Sequence, residues 1–240
     1  MKKLIILFTF ILCSSLVSAD IGDNFFSIKL GSSDSNTTGI STFTDQDGSD
    51  GETTDNDLGS SDIIGIGVGK YFSESFRGEI GISKRVDFKY STTLIKANGV
   101  AYDSPQKYTA DVESLAVFLN GYFDSQPISL LQTSVTPYLG VGVGISRNKM
   151  GLVDLITTNN GAVFAKVSSN TETEFAFKFA LGTLIELSDS VSMDINYQYV
   201  DLGDIKSGVD ITNSSSDLKV PFNGPEISSN EFNIGLQIAF

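Results

Sequence analysis

The 240-residue sequence contains no histidine and no tryptophan, one cysteine, and 16 basic residues against 29 acidic ones. Histidine is the usual general base near neutral pH and the commonest ligand of zinc and copper. Imidazole catalysis is excluded, and transition-metal sites lose their main donor. Paired carboxylates could still do acid–base work, but no pair is set apart by its context. No catalytic residue, metal ligand or cofactor is expected, and the chain reads as a non-enzyme. A single cysteine, Cys13, provides no disulfide framework. A formal net charge of −13 argues against nucleic-acid binding, which needs Lys and Arg on phosphates. Long apolar runs are also missing. The one candidate, residues 4–12, is broken by Thr9 and is too short for a spanning helix, which needs about 20 residues. If the protein enters a membrane, it must do so as a closed barrel, because no other sheet satisfies its backbone groups in lipid.

The N-terminus has an export pattern. Met1-Lys2-Lys3 is a basic head, residues 4–12 are the apolar stretch, and Val17-Ser18-Ala19 fits the small-residue cleavage rule. A signal peptide is expected over residues 1–19, cut between Ala19 and Asp20, leaving residues 20–240 as one domain. Cys13 falls inside the signal and follows Leu12 rather than a small residue, so lipidation is not expected.

From Phe25 onward, apolar residues recur at every second position. Eight strands are predicted, among them Ile64, Ile66 and Val68 alternating with Gly65, Gly67 and Gly69. Others set Leu139, Val141, Val143 and Ile145 against Gly140, Gly142 and Gly144, and Phe175, Phe177, Phe179 and Leu181 against Ala176, Lys178, Ala180 and Gly182. Segments of about ten alternating residues are the signature of transmembrane strands. Connections near 31–61, 91–110, 148–171 and 203–229 are long. Those near 73–75 and 187–190 are tight, and 124–134 is intermediate. The expected fold is all-β: an eight-stranded antiparallel up-and-down transmembrane β-barrel, with four long external loops and short periplasmic turns. A soluble barrel with its apolar set inside would have to hold too many bulky side chains. Phe177 and Val141 are expected in lipid near the midplane, and Gly142 and Lys178 in the lumen.

Arg77, Glu79, Glu113, Lys178, Glu186 and Asp194 are expected on the lumen face, as an ion-pair network that plugs a narrow barrel. The competing reading is a thin conducting path. "GIGVGK" (65–70) is not a phosphate loop, since Tyr71 stands where Ser or Thr is needed. The first long loop holds eight acids and no Lys or Arg between Ser32 and Asp62. Asp45 and Asp47 fit the start of a calcium loop, but Asp50 and Asn56 break the pattern. A solvated acidic loop is the reading, with weak divalent binding over residues 45–57 left open.

"SLAVFLNGYFD", "TPYLGVGVGIS", "ALGTLIELSDSVSMDINYQYVDLGDIKS" and the terminal "NEFNIGLQIAF" together resemble small outer-membrane barrels related to the opacity proteins and alphaproteobacterial surface antigens. The resemblance implies a cell-outer-membrane barrel that is monomeric or weakly associating, surrounded by lipid and lipopolysaccharide. It also implies exposed loops available to host or surface ligands, and no catalytic residues. Gln198 departs from the pattern, since a basic residue often stands there, and puts the ion pair expected at that position in doubt. The family further implies recognition of the last strand by the barrel-assembly machinery. Phe232, Ile234, Leu236, Ile238 and Phe240 match that signal. The expected role is membrane integrity, adhesion or surface interaction, with a narrow pore for small solutes as the alternative.

Overall fold

Period-two patterning becomes sheet over almost the whole of the computed structural model, which describes residues 24–36, 42–44, 50–130, 133–212, 218 and 221–240. The expected signal peptide, the cleavage site at Ala19 and Asp20, and Asp45 and Asp47 lie outside the described residues. The strands are β1 (Asn24–Ser35), β2 (Thr42–Thr44), β3 (Asp50–Asp57), β4 (Ser60–Ser73), β5 (Phe76–Ala97), β6 (Val100–Asp124), β7 (Ile128–Leu130), β8 (Thr133–Met150), β9 (Val153–Thr157), β10 (Val163–Val167), β11 (Asn170–Ser188), β12 (Val191–Lys206) and β13 (Asn223–Ala239).

Eight of these strands form a ring. β1 pairs with β4, β4 with β5, β5 with β6, β6 with β8, β8 with β11, β11 with β12 and β12 with β13, and β13 returns to β1, every pair antiparallel. The closing pair runs from Phe25↔Ala239 to Ser35↔Ser229 without a shift. Each ring strand neighbours the next in the chain, which is the up-and-down order. Tight turns at one end connect β4 to β5 and β11 to β12. The long connections gather at the other, external end.

Around the lower ring, alternation sorts side chains cleanly. Ile64, Ile66, Ile80, Leu119, Val141, Phe179, Leu181, Ile234 and Leu236 are exposed on the outside, as a lipid-facing belt must be. Inside, glycines make room for larger neighbours. A Cβ on Gly67 would collide with the Glu79 side chain, and one on Gly140 or Gly182 with the rings of Tyr122 or Tyr138. The aromatic residues divide by parity. Phe72, Phe76, Phe123, Tyr197 and Phe240 are exposed, whereas Tyr90, Tyr122 and Tyr138 point inward.

The external connections are built largely as sheet. β6 is 25 residues long, where a tilted membrane strand needs about 9–11. β5 and β6 run far past the belt and join through Asn98 and Gly99, both at positive φ (52° and 75°). An Asn-Gly pair with both residues at positive φ makes the tight hairpin turn whose twist suits antiparallel strands. β3 adds to the free edge of β5, and β9 to that of β6. The acidic segment 50–57, expected as a solvated loop, is therefore a strand. The open edge of β5 supplies its hydrogen bonds, which outweighs the poor strand propensity of Asp and Gly.

Two bulges change which face carries the apolar set. The β5–β6 register shifts between Arg85 and Phe88, with Asp87 at φ 71°. Below the shift the odd residues Arg77, Glu79 and Arg85 point inward. Above it the even residues Phe88, Tyr90, Thr92 and Leu94 do. In β12 the shift between Asp201 and Asp204 contains Gly203 at φ 74°, and brings Ile205 inward after Val200 and Leu202. The result is an apolar core that starts at Phe118, beside the lipid-facing Val117 and Leu119, and continues above the membrane. It includes Phe88, Tyr90, Val112, Phe118, Met150, Val153, Val200, Leu202, Ile205 and Ile227.

Candidate functional site in the barrel lumen

Among the described residues, eight charged side chains line the spanning part of the lumen, four of each sign. Lys29, Arg77, Arg85 and Lys178 face Glu79, Asp124, Asp194 and Glu231. They form layers. Nearest the periplasm, Arg77 Nε donates to Asp124 Oδ1 and Oδ2 at 3.1 and 3.0 Å, and its Nη1 donates to Gln237 Oε1 at 3.0 Å. Gln237 Nε2 then donates to the Tyr71 hydroxyl at 2.7 Å. The Arg77 guanidinium also lies over the rings of Tyr122 and Tyr138, 4.1 and 4.6 Å from their centroids, where ring quadrupoles favour a cation.

In the middle layer, Lys29 Nζ sits between two carboxylates, 3.7 Å from Glu79 and 3.4 Å from Asp194. Glu79 also accepts from Ser27 Oγ (2.8 Å), Asn120 Nδ2 (2.9 Å) and the Tyr122 hydroxyl (3.1 Å). Asp194 accepts from the Tyr138 hydroxyl at 2.6 Å and from Asn196 Nδ2 at 3.3 Å. Lys178 is on the same cross-strand row as Glu79, reached through Gly142 and Asn120. It has no carboxylate among the described residues within 4 Å, and its ammonium stands 4.8 Å from the centroid of the Phe118 ring.

The upper layer is a bidentate pair. Arg85 Nε and Nη2 donate to the two oxygens of Glu231 at 2.5 and 2.9 Å. Gln198 Nε2 donates to the same carboxylate at 2.5 Å and Ser33 Oγ at 3.1 Å. Directly above lies the apolar core, where Ser146 and Asn148 bond the Leu202 carbonyl. Between the middle and upper layers the free space is about 30 Å³, roughly the share of one water molecule. The lumen widens at the periplasmic mouth into a vestibule of about 680 Å³ bordered by Glu74, Asp124, Glu186 and Asp189.

Arg77, Glu79, Lys178 and Asp194 are thus brought together inside the ring. Glu186 has the inward parity of β11 but lies exposed at the periplasmic mouth, outside the network. Glu113 is a correction. Even residues of β6 (Val112, Ser114, Ala116, Phe118) are the buried ones, so Glu113 points outward with Leu115. It pairs with Lys84 on the outer surface at 3.1 Å, both side chains nearly half exposed. Lys29, Arg85, Asp124 and Glu231 were missed. Each has the inward parity of its strand, and that was the available signal. The doubt at Gln198 is resolved by Arg85, which brings the positive charge to Glu231 from across the lumen. Among the described residues no group of three or more Asp or Glu could hold a metal ion.

A closed ring of eight strands, apolar outside and filled inside by paired charges, defines a small outer-membrane β-barrel. The chain belongs to the outer membrane protein beta-barrel domain family, whose model matches residues 6–240. It is 26% identical over 179 residues to an uncharacterized protein of Rickettsia conorii, covering 72% of this chain and 71% of that one. It is equally similar to a Rickettsia rickettsii protein named as a candidate adhesin, with 26% identity over 179 residues and 72% of each chain covered. Among solved structures, OprG from Pseudomonas aeruginosa shares the fold, with a TM-score of 0.54 at 17% identity over 92% of this chain and 97% of that one. The protein resides in the outer membrane, in contact with its lipid and lipopolysaccharide.

Proposed function

We propose that this is a non-enzymatic, non-conducting surface barrel that adheres to partners outside the cell through its external sheet. The observation that carries this reading is the apolar core above the membrane. It holds β5, β6, β9 and β10 as a packed platform, which a protein serving membrane integrity alone has no use for. Exposed apolar side chains stand on that platform: Val100 at the tip of the β5–β6 hairpin, and Leu152, Val163 and Phe164 around β9 and β10. Exposed apolar side chains on a packed external surface suit protein contact. The name carried by the Rickettsia rickettsii relative agrees with it. The close packing between the middle and upper layers of the lumen, where the cavity beside Glu79 and Lys178 is about 30 Å³, supports the absence of transport.

The platform is the contact surface, and the row Phe232, Ile234, Leu236, Ile238 and Phe240 on β13 serves the assembly machinery. Display on a non-adherent Gram-negative strain tests the main claim. Binding to host cells should rise several-fold over the empty strain, and Val100→Ser with Phe164→Ser should remove most of the gain. Equal binding by the parent and the empty strain would refute adhesion.

A further inference from the structure

The lipid-facing belt carries Val, Ile, Leu and Phe almost throughout, and one cross-strand row interrupts it. Lys70 of β4 is opposite Gly78 of β5, and Gly78 is opposite Gly121 of β6. Both glycines have outward parity, shared with Ile80 and Leu119. The next row up carries Val68, Ile80 and Leu119, and the row below carries Phe76 and Phe123. Gly121 therefore floors a pit between two apolar walls, with the Phe72 ring lying over Gly78 beside it. The pit forms part of a cavity of about 840 Å³, which Phe72, Val141 and Phe240 and the inward-facing Arg77, Glu79 and Asn120 also border.

Neither glycine is required by the backbone, since neither is among the residues at positive φ. At Gly121 a Cβ would meet nothing within 4 Å, and at Gly78 its nearest contact would be the edge of the movable Phe72 ring. Mid-strand glycine weakens a sheet and often marks close approach of another group. Here no part of the chain fills the space at Gly121. Lys70, half-buried, stands at the end of the pit and has no ion pair with any described residue. It is a few residues above the β4–β5 turn, at headgroup depth in the periplasmic leaflet. On a chain of net charge −13, a free cation beside an apolar pit at that depth complements an anionic lipid.

We propose that this pit binds one phospholipid of the periplasmic leaflet, with an acyl chain lying over Gly121 beside the Phe72 ring and the headgroup phosphate on Lys70. The test is native mass spectrometry of the full barrel in mild detergent, with added phosphatidylglycerol or with diacylglycerol, which lacks the phosphate. The parent should carry one phosphatidylglycerol, bound at least tenfold more tightly than diacylglycerol. Gly121→Leu, which fills the pit, should lose both lipids. Lys70→Gln should lower phosphatidylglycerol to the diacylglycerol level, and Lys84→Gln should change nothing. Folding of each variant is read from its resistance to detergent unfolding before heating, with Gly121→Ala replacing Gly121→Leu if the latter does not fold. Retention of the lipid by the filled variant would overturn the proposal. So would equal affinity for both lipids, or a dimer of the barrel that Gly121→Leu abolishes.

Discussion

The Arg85–Glu231 pair shows what a single residue contributes in a narrow lumen. Both side chains are fully buried, so each charge has given up water and depends on the other. Removing one partner leaves an uncompensated buried charge, which costs about 3–5 kcal/mol. Arg85→Met or Glu231→Leu alone should lower unfolding stability in lipid vesicles by about that amount. The double variant should recover most of it, because apolar replacement of a whole buried pair is often neutral. A double variant no more stable than either single one would mean that Ser33 and Gln198, which also bond Glu231, hold the layer together. Lys178 is a milder case, since its cation already stands on the Phe118 ring without an ion pair.

At the scale of the element, parity and level together decide the effect of a substitution. β11 presents Phe175, Phe177, Phe179 and Leu181 to lipid, and their distances from the periplasmic turn differ. Phe177 stands four residues further from the β11–β12 turn than Leu181, opposite Asp201 of β12, and its ring lies 6.2 Å from that of Tyr199. Leu181, between Leu139 and Tyr197, is central. Leu181→Arg should cost about 2–4 kcal/mol and Phe177→Arg about 0–1, as measured by chemical denaturation in vesicles. Equal costs would show that the belt is placed at the wrong height. The sequence allowed the parity of every ring strand to be read, because one residue in two is apolar over the whole spanning length. Height was not legible, since β5, β6 and β8 continue past the belt without a break in pattern. The bulges at Asp87 and Gly203 turn the apolar set from lipid to core, and their neighbours give no sign of it. The Asn98-Gly99 turn was legible: an Asn-Gly pair between alternating segments signals a tight hairpin, so residues 91–110 could have been read as two strands. Glu113 was misplaced although Leu115, two positions on, fixed its face.

For the whole molecule, closure of the ring and filling of the lumen reinforce each other. Every ring strand has two neighbours, so no spanning edge is left to pair elsewhere. The balanced charges and the apolar core fill the lumen above the periplasmic vestibule. Planar-bilayer recordings of the refolded protein should therefore show little or no conductance, and large stable openings would restore the transport reading. Closure also separates finished stability from assembly. In the finished barrel Phe240 is an exposed ring at the periplasmic rim, its backbone N–H bonded to the Asn24 carbonyl at 2.9 Å. Full burial of a Phe side chain contributes about 1.5–3 kcal/mol, and a half-exposed ring at the interface contributes less. Phe240→Ala should therefore leave the refolded barrel melting close to the parent. Before closure the situation differs. β13 is then an unpaired edge, distinguished by its outward row Phe232, Ile234, Leu236, Ile238 and Phe240, and we propose that an assembly factor recognises that row. In cells, Phe240→Ala should lower outer-membrane levels sharply and leave protein in the periplasm. The reverse pattern, normal membrane levels with a large loss of stability in vitro, would make Phe240 a structural residue of the rim and remove the row from assembly.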